Sequence, residues 1–137
     1  MLLIAGGDTD PNVASIVGRM RQRGMDGRAL LVGAANPGLT WDFQSDTLRI
    51  DGAEVDPGAV FLRYDVFSTL ADERPQVTFR AQAWFTTLHG WLLAHPAVRA
   101  LNTRASGGAS KPFILHTARR LGLRIPFTLI TNELGAL

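Results

Sequence analysis

The fold is decided at the start of the chain, where residues 1–33 read MLLIAGGDTDPNVASIVGRMRQRGMDGRALLVG. Residues 2–5 form a short apolar run followed by two glycines, which is typical of a buried parallel strand. Asp10 is a suitable N-cap and Pro11 a suitable first helical residue, and apolar residues then recur at helical spacing. Residues 29–33 form a second apolar run. The order of strand, helix and strand predicts a βαβ unit with a right-handed crossover.

Beyond this unit, the pattern changes from continuous apolar runs to alternation. Residues 39–55 predict a small antiparallel meander, in which Asp51 and Gly52 form a two-residue hairpin turn. Residues 59–62 predict another buried strand, which ends at Arg63. These patterns extend the chain's first unit with a further parallel strand and a short antiparallel addition.

The second half of the chain predicts two helices and two short strands. Apolar residues at spacings of three and four from Val77 predict the longest helix, which Pro96 stops. A strand is expected at residues 98–101 and a last one at residues 127–131. Between them, Ser110 can cap a helix that Gly122 closes. Three apolar residues of that helix are expected to line one side of it: Ile114, Ala118 and Leu121.

These elements predict an α/β fold with three layers. We expect a mostly parallel, Rossmann-like sheet flanked by helices, with a small antiparallel hairpin. The chain has 137 residues, of which 46% are hydrophobic, and shows no repeat, linker or charge run. A single domain over residues 1–137 is therefore the expectation.

Composition excludes several classes of protein. The chain has no cysteine, so it has neither disulfides nor a thiolate metal site nor a cysteine nucleophile. A net charge of +2 is too small to predict a nucleic-acid surface. No uninterrupted apolar stretch reaches the roughly 18 residues of a membrane span, so we expect no membrane partner. The absence of cysteine permits a reducing compartment, and a cytoplasmic location is the default expectation.

The loop after the first strand is one candidate for anion binding. Gly6 and Gly7 lie between a strand and a helix, where backbone amides hold phosphate in many α/β proteins. The loop lacks the Gly-x-Gly-x-x-Gly pattern, however, and Asp8 and Asp10 would repel phosphate. A turn with a helix cap is the favoured interpretation, and a small nucleotide-binding protein using this loop is a weaker hypothesis.

Lys111 is a second candidate, because it is the sole lysine among the 14 basic residues. A chain that otherwise uses arginine has kept a compact point charge at this position, as contact with phosphate often requires. The surrounding loop is not a P-loop, since Lys111 is preceded by Ser110 and followed by Pro112. A solvated surface lysine at a helix start is the alternative, and the residues alone leave both open.

The remaining chemistry-bearing residues form no recognisable site in the sequence. His89, His95 and His116 do not pair at the spacing that builds a metal site on one helix, so solvent or core packing is expected for them. We expect no metal ligand and no catalytic residue in this chain. Trp84 and Trp91 are expected in the core.

One stretch resembles a known family. Residues 101–132 contain Leu-Asn, then Ser110-Lys111-Pro112, then the run Gly-Leu-Arg-Ile-Pro-Phe-Thr from Gly122. This order resembles the start of ATP-grasp ligases. Upstream, the βαβ start, the meander, the strand ending in Arg63 and the Trp-bearing helix are similar to the N-terminal, pre-ATP-grasp domain of graspetide or microviridin-type synthetases and of ribosomal-protein glutamate ligases.

The resemblance implies a function and a set of binding residues. Lys111 matches the family lysine that contacts ATP phosphate, although relatives often carry an acidic residue where this chain has Ser110. The implied function is the N-terminal domain, fragment or split subunit of an ATP-dependent ligase that joins a carboxylate to an amine or hydroxyl. ATP and Mg would serve the complete enzyme, and neither is expected to bind tightly to this chain alone, which lacks the ATP-grasp catalytic domain. Arg63 and Arg104 are further candidates for contact with an anion or substrate.

The implied partners are a peptide or protein substrate, or a second subunit that carries the ATP-grasp domain. The alternative function is a stand-alone binding or scaffolding module that recognises a peptide or subunit without catalysis. Such a module is expected to expose apolar residues around Phe127 and Leu129 and to associate as a homodimer through them.

Overall fold

A computed structural model of the chain describes residues 1–33, 37–63, 74–101 and 111–131. The helices are α1 (Pro11–Gln22), α2 (Pro75–Ala94) and α3 (Lys111–Arg120). The strands are β1 (Leu2–Gly7), β2 (Gly27–Val32), β3 (Leu39–Asp42), β4 (Thr47–Ile50), β5 (Ala53–Val55), β6 (Ala59–Leu62), β7 (Arg99–Leu101) and β8 (Leu129–Thr131). None of the helices in these ranges is long and apolar enough to span a membrane.

The first sheet is entirely parallel, with the strand order β2-β1-β6-β7. The predicted βαβ unit is confirmed, and β1 lies between β2 and β6, as its continuous apolar sequence indicated. Asp10 caps α1 by accepting hydrogen bonds from the amides of Asn12 and Val13. Local sequence signals therefore placed this unit correctly.

The two faces of the parallel sheet are covered by different helices. On one face, Ile4 packs in a cluster with the α1 residues Val13, Val17 and Met20. On the other face, Leu3 and its neighbours join a larger cluster that includes buried residues of α2. Burying each such side chain stabilises the fold by about 1.5–3 kcal/mol. The helix, sheet and helix layers confirm the predicted α/β class.

The second sheet is antiparallel and has the order β5-β4-β3-β8. Its first three strands are the predicted meander, and the turn between β4 and β5 places Asp51 and Gly52 at φ angles of 51° and 74°. Both angles are positive, as a type I′ hairpin requires. The fourth strand comes from far along the chain, and Thr131 of β8 pairs with Thr40 of β3. The antiparallel part is therefore larger than the hairpin we expected.

The α2 helix joins the two sheets through its apolar face. Trp84, Leu88 and Trp91 are buried in the same cluster as the inward-facing residues of both sheets. Trp41 of β3 is also fully buried there. The prediction that Trp84 and Trp91 belong to the core is confirmed.

The prediction that the side of α3 carrying Ile114 and Leu121 packs against the protein is wrong. Ile114 is 51% exposed, and Leu121, just after the helix, is 74% exposed. The buried residues of α3 are instead Pro112 and His116. Because this helix packs against α2 and the second sheet through the face that carries His116, the apolar residues on the other side face solvent.

Candidate functional site

Lys111 is the first residue of α3, and its side chain is exposed. The amino end of a helix carries unpaired amides and a partial positive charge, which favours a nearby anion. This position fits a phosphate contact. Ser110 and Arg104, which the sequence also singled out, lie outside the described residues.

Arg63 lies at the carboxyl end of β6, where ligands bind in many open α/β sheets. Its Nε donates a hydrogen bond to Oδ2 of Asp10 at 2.9 Å, and its backbone amide donates to the carbonyl of Ala5. Asp10 is only 3% exposed. One donor of Arg63 therefore has a structural role, and its contact with an anion or substrate stays a prediction.

The environment of Asp10 lowers its pKa. Burial raises the pKa of this carboxyl, but the hydrogen bond from Arg63, the amides of Asn12 and Val13 and the charge of Arg63 together outweigh burial. The pKa is therefore below its ordinary value, and the carboxylate stays charged. Asp10 thus already occupies the amides of Asn12 and Val13 at the start of α1, which argues against phosphate binding there.

Gly6 in the same loop has a packing explanation. A Cβ on Gly6 would lie 2.6 Å from Cγ2 of Val13 and 3.1 Å from Cβ of Arg63. The absence of a side chain lets α1 approach the end of β1. This close approach accounts for the glycine without a ligand, in agreement with the favoured interpretation of the loop.

The structure also brings together three residues that the sequence left apart. Asp46 lies in the turn between β3 and β4, His95 caps the carboxyl end of α2, and His116 lies in α3. Nε2 of His95 is 3.3 Å from Oδ2 of Asp46, and Nε2 of His116 is 3.3 Å from Oδ1 of the same carboxylate. We call these three residues the Asp46 cluster.

Neighbouring groups hold each member of the Asp46 cluster in place. The indole Nε1 of Trp41 donates to Oδ1 of Asp46 at 3.1 Å, and Nδ1 of His95 lies 2.8 Å from the carbonyl of Trp91. The ring of His116 packs against the rings of Trp41 and Phe43. The cluster is therefore built into the boundary between the second sheet and the two helices.

Burial and charge shape the carboxylate of Asp46. Burial raises its pKa, but the hydrogen bond from Trp41 and the two histidines outweigh burial and lower the pKa below its ordinary value. The side chain of Asp46 is 45% exposed, whereas that of His116 is 7% exposed. The cluster thus opens to solvent on the carboxylate side and is closed behind His116.

Sequence reasoning missed this cluster because it searched for histidines at one helical spacing. His95 caps the carboxyl end of α2, His116 lies in α3, and Asp46 lies on a turn of the second sheet. One signal was available: Pro112 and His116 are four residues apart and so share a helical face. That face, rather than the face of Ile114, is the buried one.

A cleft of about 270 Å³ lies at the beginning of α2. Its lining consists of Arg74, Gln76, Val77 and Arg80. Two of these four residues are arginines, and the amino end of α2 carries a partial positive charge.

Comparison with known proteins finds solved structures that the chain resembles. No protein-family model matches the chain, and no curated protein matches it. The chain is similar to solved structures of the ATP-grasp ligase PsnB complexed with precursor peptide PsnA2 and AMPPNP, with minimal precursor, Mg and ADP, and with minimal precursor. Identity is 25%, TM-scores are 0.51, 0.52 and 0.53, and 91% of this chain is covered.

The likeness confirms the predicted relationship to ATP-grasp ligases that act on peptides. The matched region amounts to 44–45% of the PsnB chain, so this chain spans less than half the length of the proteins it matches.

Proposed function

We propose that this chain, as a structural relative of ATP-grasp ligases, is the N-terminal domain, a fragment or a split subunit of an ATP-dependent ligase. The complete enzyme would join a carboxylate to an amine or hydroxyl of a peptide or protein. The observation that carries this proposal is the match over 91% of the chain to an ATP-grasp ligase complexed with its precursor peptide. Residues 1–137 form one pre-ATP-grasp-like domain in this proposal.

In the complete enzyme, ATP would activate the carboxylate as an acyl phosphate with release of ADP. The amine or hydroxyl would then displace phosphate and form the new amide or ester bond. Lys111 is the residue of this chain that would hold an ATP phosphate, because it is an exposed point charge at the amino end of a helix. Mg would depend on ligands from elsewhere in the enzyme.

The experiment is an ATP titration by calorimetry in the presence of Mg, with wild type and Lys111→Ala. We expect Lys111→Ala to weaken binding by more than about tenfold, or roughly 1.4 kcal/mol. Arg120→Ala is the matched control, because it removes an exposed positive charge from the other end of α3. Equal affinity of wild type and Lys111→Ala would contradict the phosphate role.

Two further outcomes refine the proposal. If neither protein binds ATP, Lys111 acts only when the rest of the ligase closes over the nucleotide, and the titration should be repeated with the partner chain present. Robust Mg-dependent consumption of ATP by this chain alone would contradict the proposal that it is catalytically incomplete.

A second candidate function is supported by exposed apolar side chains after α3. Leu121, Leu123 and Phe127 are 74%, 61% and 75% exposed, and the edge strand β8 follows them. Apolar side chains grouped in this way are typical of an association surface. A binding module that pairs with a peptide, a subunit or a second copy of itself would use this segment.

Sedimentation analysis tests self-association through that surface. We expect a concentration-dependent dimer for wild type, and a monomer for a variant with Leu123→Ser and Phe127→Ser, because these changes remove the exposed apolar area. Ile114→Ser is the control, since it removes an exposed apolar side chain of α3 outside this segment. A wild-type protein that remains monomeric at high concentration would contradict homodimer formation.

A further inference from the structure

The Asp46 cluster brings two imidazoles and a carboxylate from three separate elements to one point. The candidate ligand atoms all lie within 4.8 Å of one another. Among the residues that the structure describes, this is the group of histidine and acidic side chains that could surround a single ion. The proposed ligase function uses none of the three.

The donor atoms select a class of ion. Two imidazole nitrogens suit Zn²⁺ and neighbouring first-row transition metals, whereas Mg²⁺ and Ca²⁺ prefer oxygen ligands. Two histidines with one carboxylate also form a known zinc ligand set, in which a fourth position holds water. The cluster is therefore chemically distinct from any Mg site that accompanies ATP.

The spacing of the donors agrees with that ion. Ligand bonds of about 2.0–2.2 Å place neighbouring ligand atoms of a tetrahedral site about 3.3–3.6 Å apart. Nε2 of His95 lies 3.3 Å from Oδ2 of Asp46, and Nε2 of His116 lies 3.3 Å from Oδ1 of the same carboxylate. One candidate ligand atom from each residue lies within 4.8 Å of the other two. An ion could thus be bound with small side-chain movements.

The surrounding hydrogen bonds orient the ligands as metal sites require. Ligating histidines usually donate from their other ring nitrogen to a carbonyl or carboxylate. Nδ1 of His95 lies 2.8 Å from the carbonyl of Trp91, so an Nδ1–H donor there leaves the lone pair of Nε2 directed at Asp46. The indole of Trp41 holds the carboxylate in turn. The exposed side of Asp46 gives the ion a path from solvent.

We propose that Asp46, His95 and His116 bind a divalent transition-metal ion of the Zn²⁺ class. The ion links the turn between β3 and β4, the carboxyl end of α2 and the middle of α3. Because α3 begins with Lys111, the ion also fixes the helix that presents this lysine. Its role is to position α3, and it takes no part in acyl transfer.

The decisive measurement is metal binding by the untagged chain after dialysis against a chelator. Titration with ZnCl₂ at about pH 7.5 is expected to show one equivalent bound with a dissociation constant below about 10 µM. Excess MgCl₂ is expected not to compete, because it lacks affinity for nitrogen ligands. Histidine nitrogen NMR is expected to report zinc at Nε2 of His95 and His116.

Variants identify the ligands. Asp46→Asn and His95→Gln are each expected to weaken zinc binding by at least about tenfold, a loss that changes around metal sites typically cause. Asp46→Asn keeps a residue type that tolerates the φ of 55° found at this position. His89→Gln is the matched control, because His89 lies on α2, the helix that His95 caps, but stacks on Phe85 outside the cluster.

Because His116 is buried, His116→Gln can destabilise the fold. The variants at the more exposed ligands, Asp46→Asn and His95→Gln, therefore decide the outcome. No zinc binding by wild type below about 100 µM would overturn the proposal and leave a hydrogen-bonded cluster. Unchanged affinity in both Asp46→Asn and His95→Gln would also overturn it, because zinc would then occupy another site. A loss of zinc affinity in His89→Gln as large as that in His95→Gln would also overturn the proposal.

Discussion

Asp10 and Asp46 both hold positively charged or titratable partners from distant parts of the chain, but in different ways. Asp10 is almost fully buried and pairs with Arg63, a permanent cation, at the carboxyl end of the parallel sheet. Asp46 is partly exposed and meets His95 and His116 at the turn between the inner strands β3 and β4 of the antiparallel sheet. The first arrangement is a structural ion pair, and the second is a set of ligand atoms.

The side chain that meets each carboxylate decides whether a metal ion could bind there. Arg63 neutralises the charge of the Asp10 carboxylate. Its guanidinium has hydrogen-bond donors only, so it offers no lone pair with which to bind a metal ion. Each histidine beside Asp46 can offer a lone pair. The distance of 3.3 Å between its Nε2 and a carboxylate oxygen therefore fits either a hydrogen bond or two ligands of one ion. A carboxylate that meets histidines can therefore belong to a metal site, whereas a carboxylate paired with an arginine cannot.

The largest expected effect is the loss of Asp10. Asp10→Ala removes a helix cap worth about 1 kcal/mol and a charge-assisted hydrogen bond worth about 1.5 kcal/mol, so we expect a loss of about 2–3 kcal/mol in the free energy of unfolding. Urea unfolding would measure this change. Asp56→Ala, at an exposed carboxylate, should change the free energy by less than about 0.5 kcal/mol. A similar small loss for Asp10→Ala would remove the distinction between the two regions.

The pH dependence of stability should carry the signature of Asp10. Its pKa is lowered in the folded protein, so the unfolded state binds more protons below the ordinary carboxyl pKa of about 3.9. The stabilising contribution is fully present above about pH 4 and is lost as the pH falls through the folded pKa. Stability curves should therefore fall more steeply below about pH 4 for wild type than for Asp10→Asn. Parallel curves would contradict this.

The smallest expected effect concerns Asp46 in metal-free protein. Asp46→Asn should cost no more than about 1 kcal/mol of unfolding free energy, because partly exposed ion pairs contribute about 0–1 kcal/mol. Urea unfolding in the presence of a chelator would measure it. A loss as large as that of Asp10→Ala would mean that the Asp46 cluster is a structural ion pair, as Asp10 and Arg63 are, rather than a set of ligand atoms.

Much of the fold could be predicted from local sequence. The N-cap at Asp10, the positive φ at Asp51 and Gly52 and the strand ending at Arg63 follow from short-range rules of hydrogen bonding and backbone sterics. The side of α3 that is buried did not follow from them. The imidazole of His116 packs against the rings of Trp41 and Phe43, and this contact turns that side of α3 inward. The apolar side chain of Ile114 therefore faces solvent.

Part of the candidate site could likewise be predicted from the sequence, and part could be seen only in the structure. The sequence singled out Lys111 by its rarity and its place before a helix, and the structure puts it at the exposed start of α3, while its contact with phosphate stays a prediction. Arg63 was singled out by its place after a strand, and its pairing with Asp10 became visible only in three dimensions. The Asp46 cluster could not be predicted, since no two of its members share an element.

The sequence by itself determined the helices, most of the strands, the cap at Asp10 and the turn at Asp51 and Gly52, because these depend on residues close together in the chain. It also carries the resemblance to ATP-grasp ligases. Only the tertiary structure decided that β8 joins β3, that His116 is buried and that Asp46 meets two histidines. Such contacts join positions far apart in sequence. They are selected by the packing of whole elements, for which local spacing carries no signal.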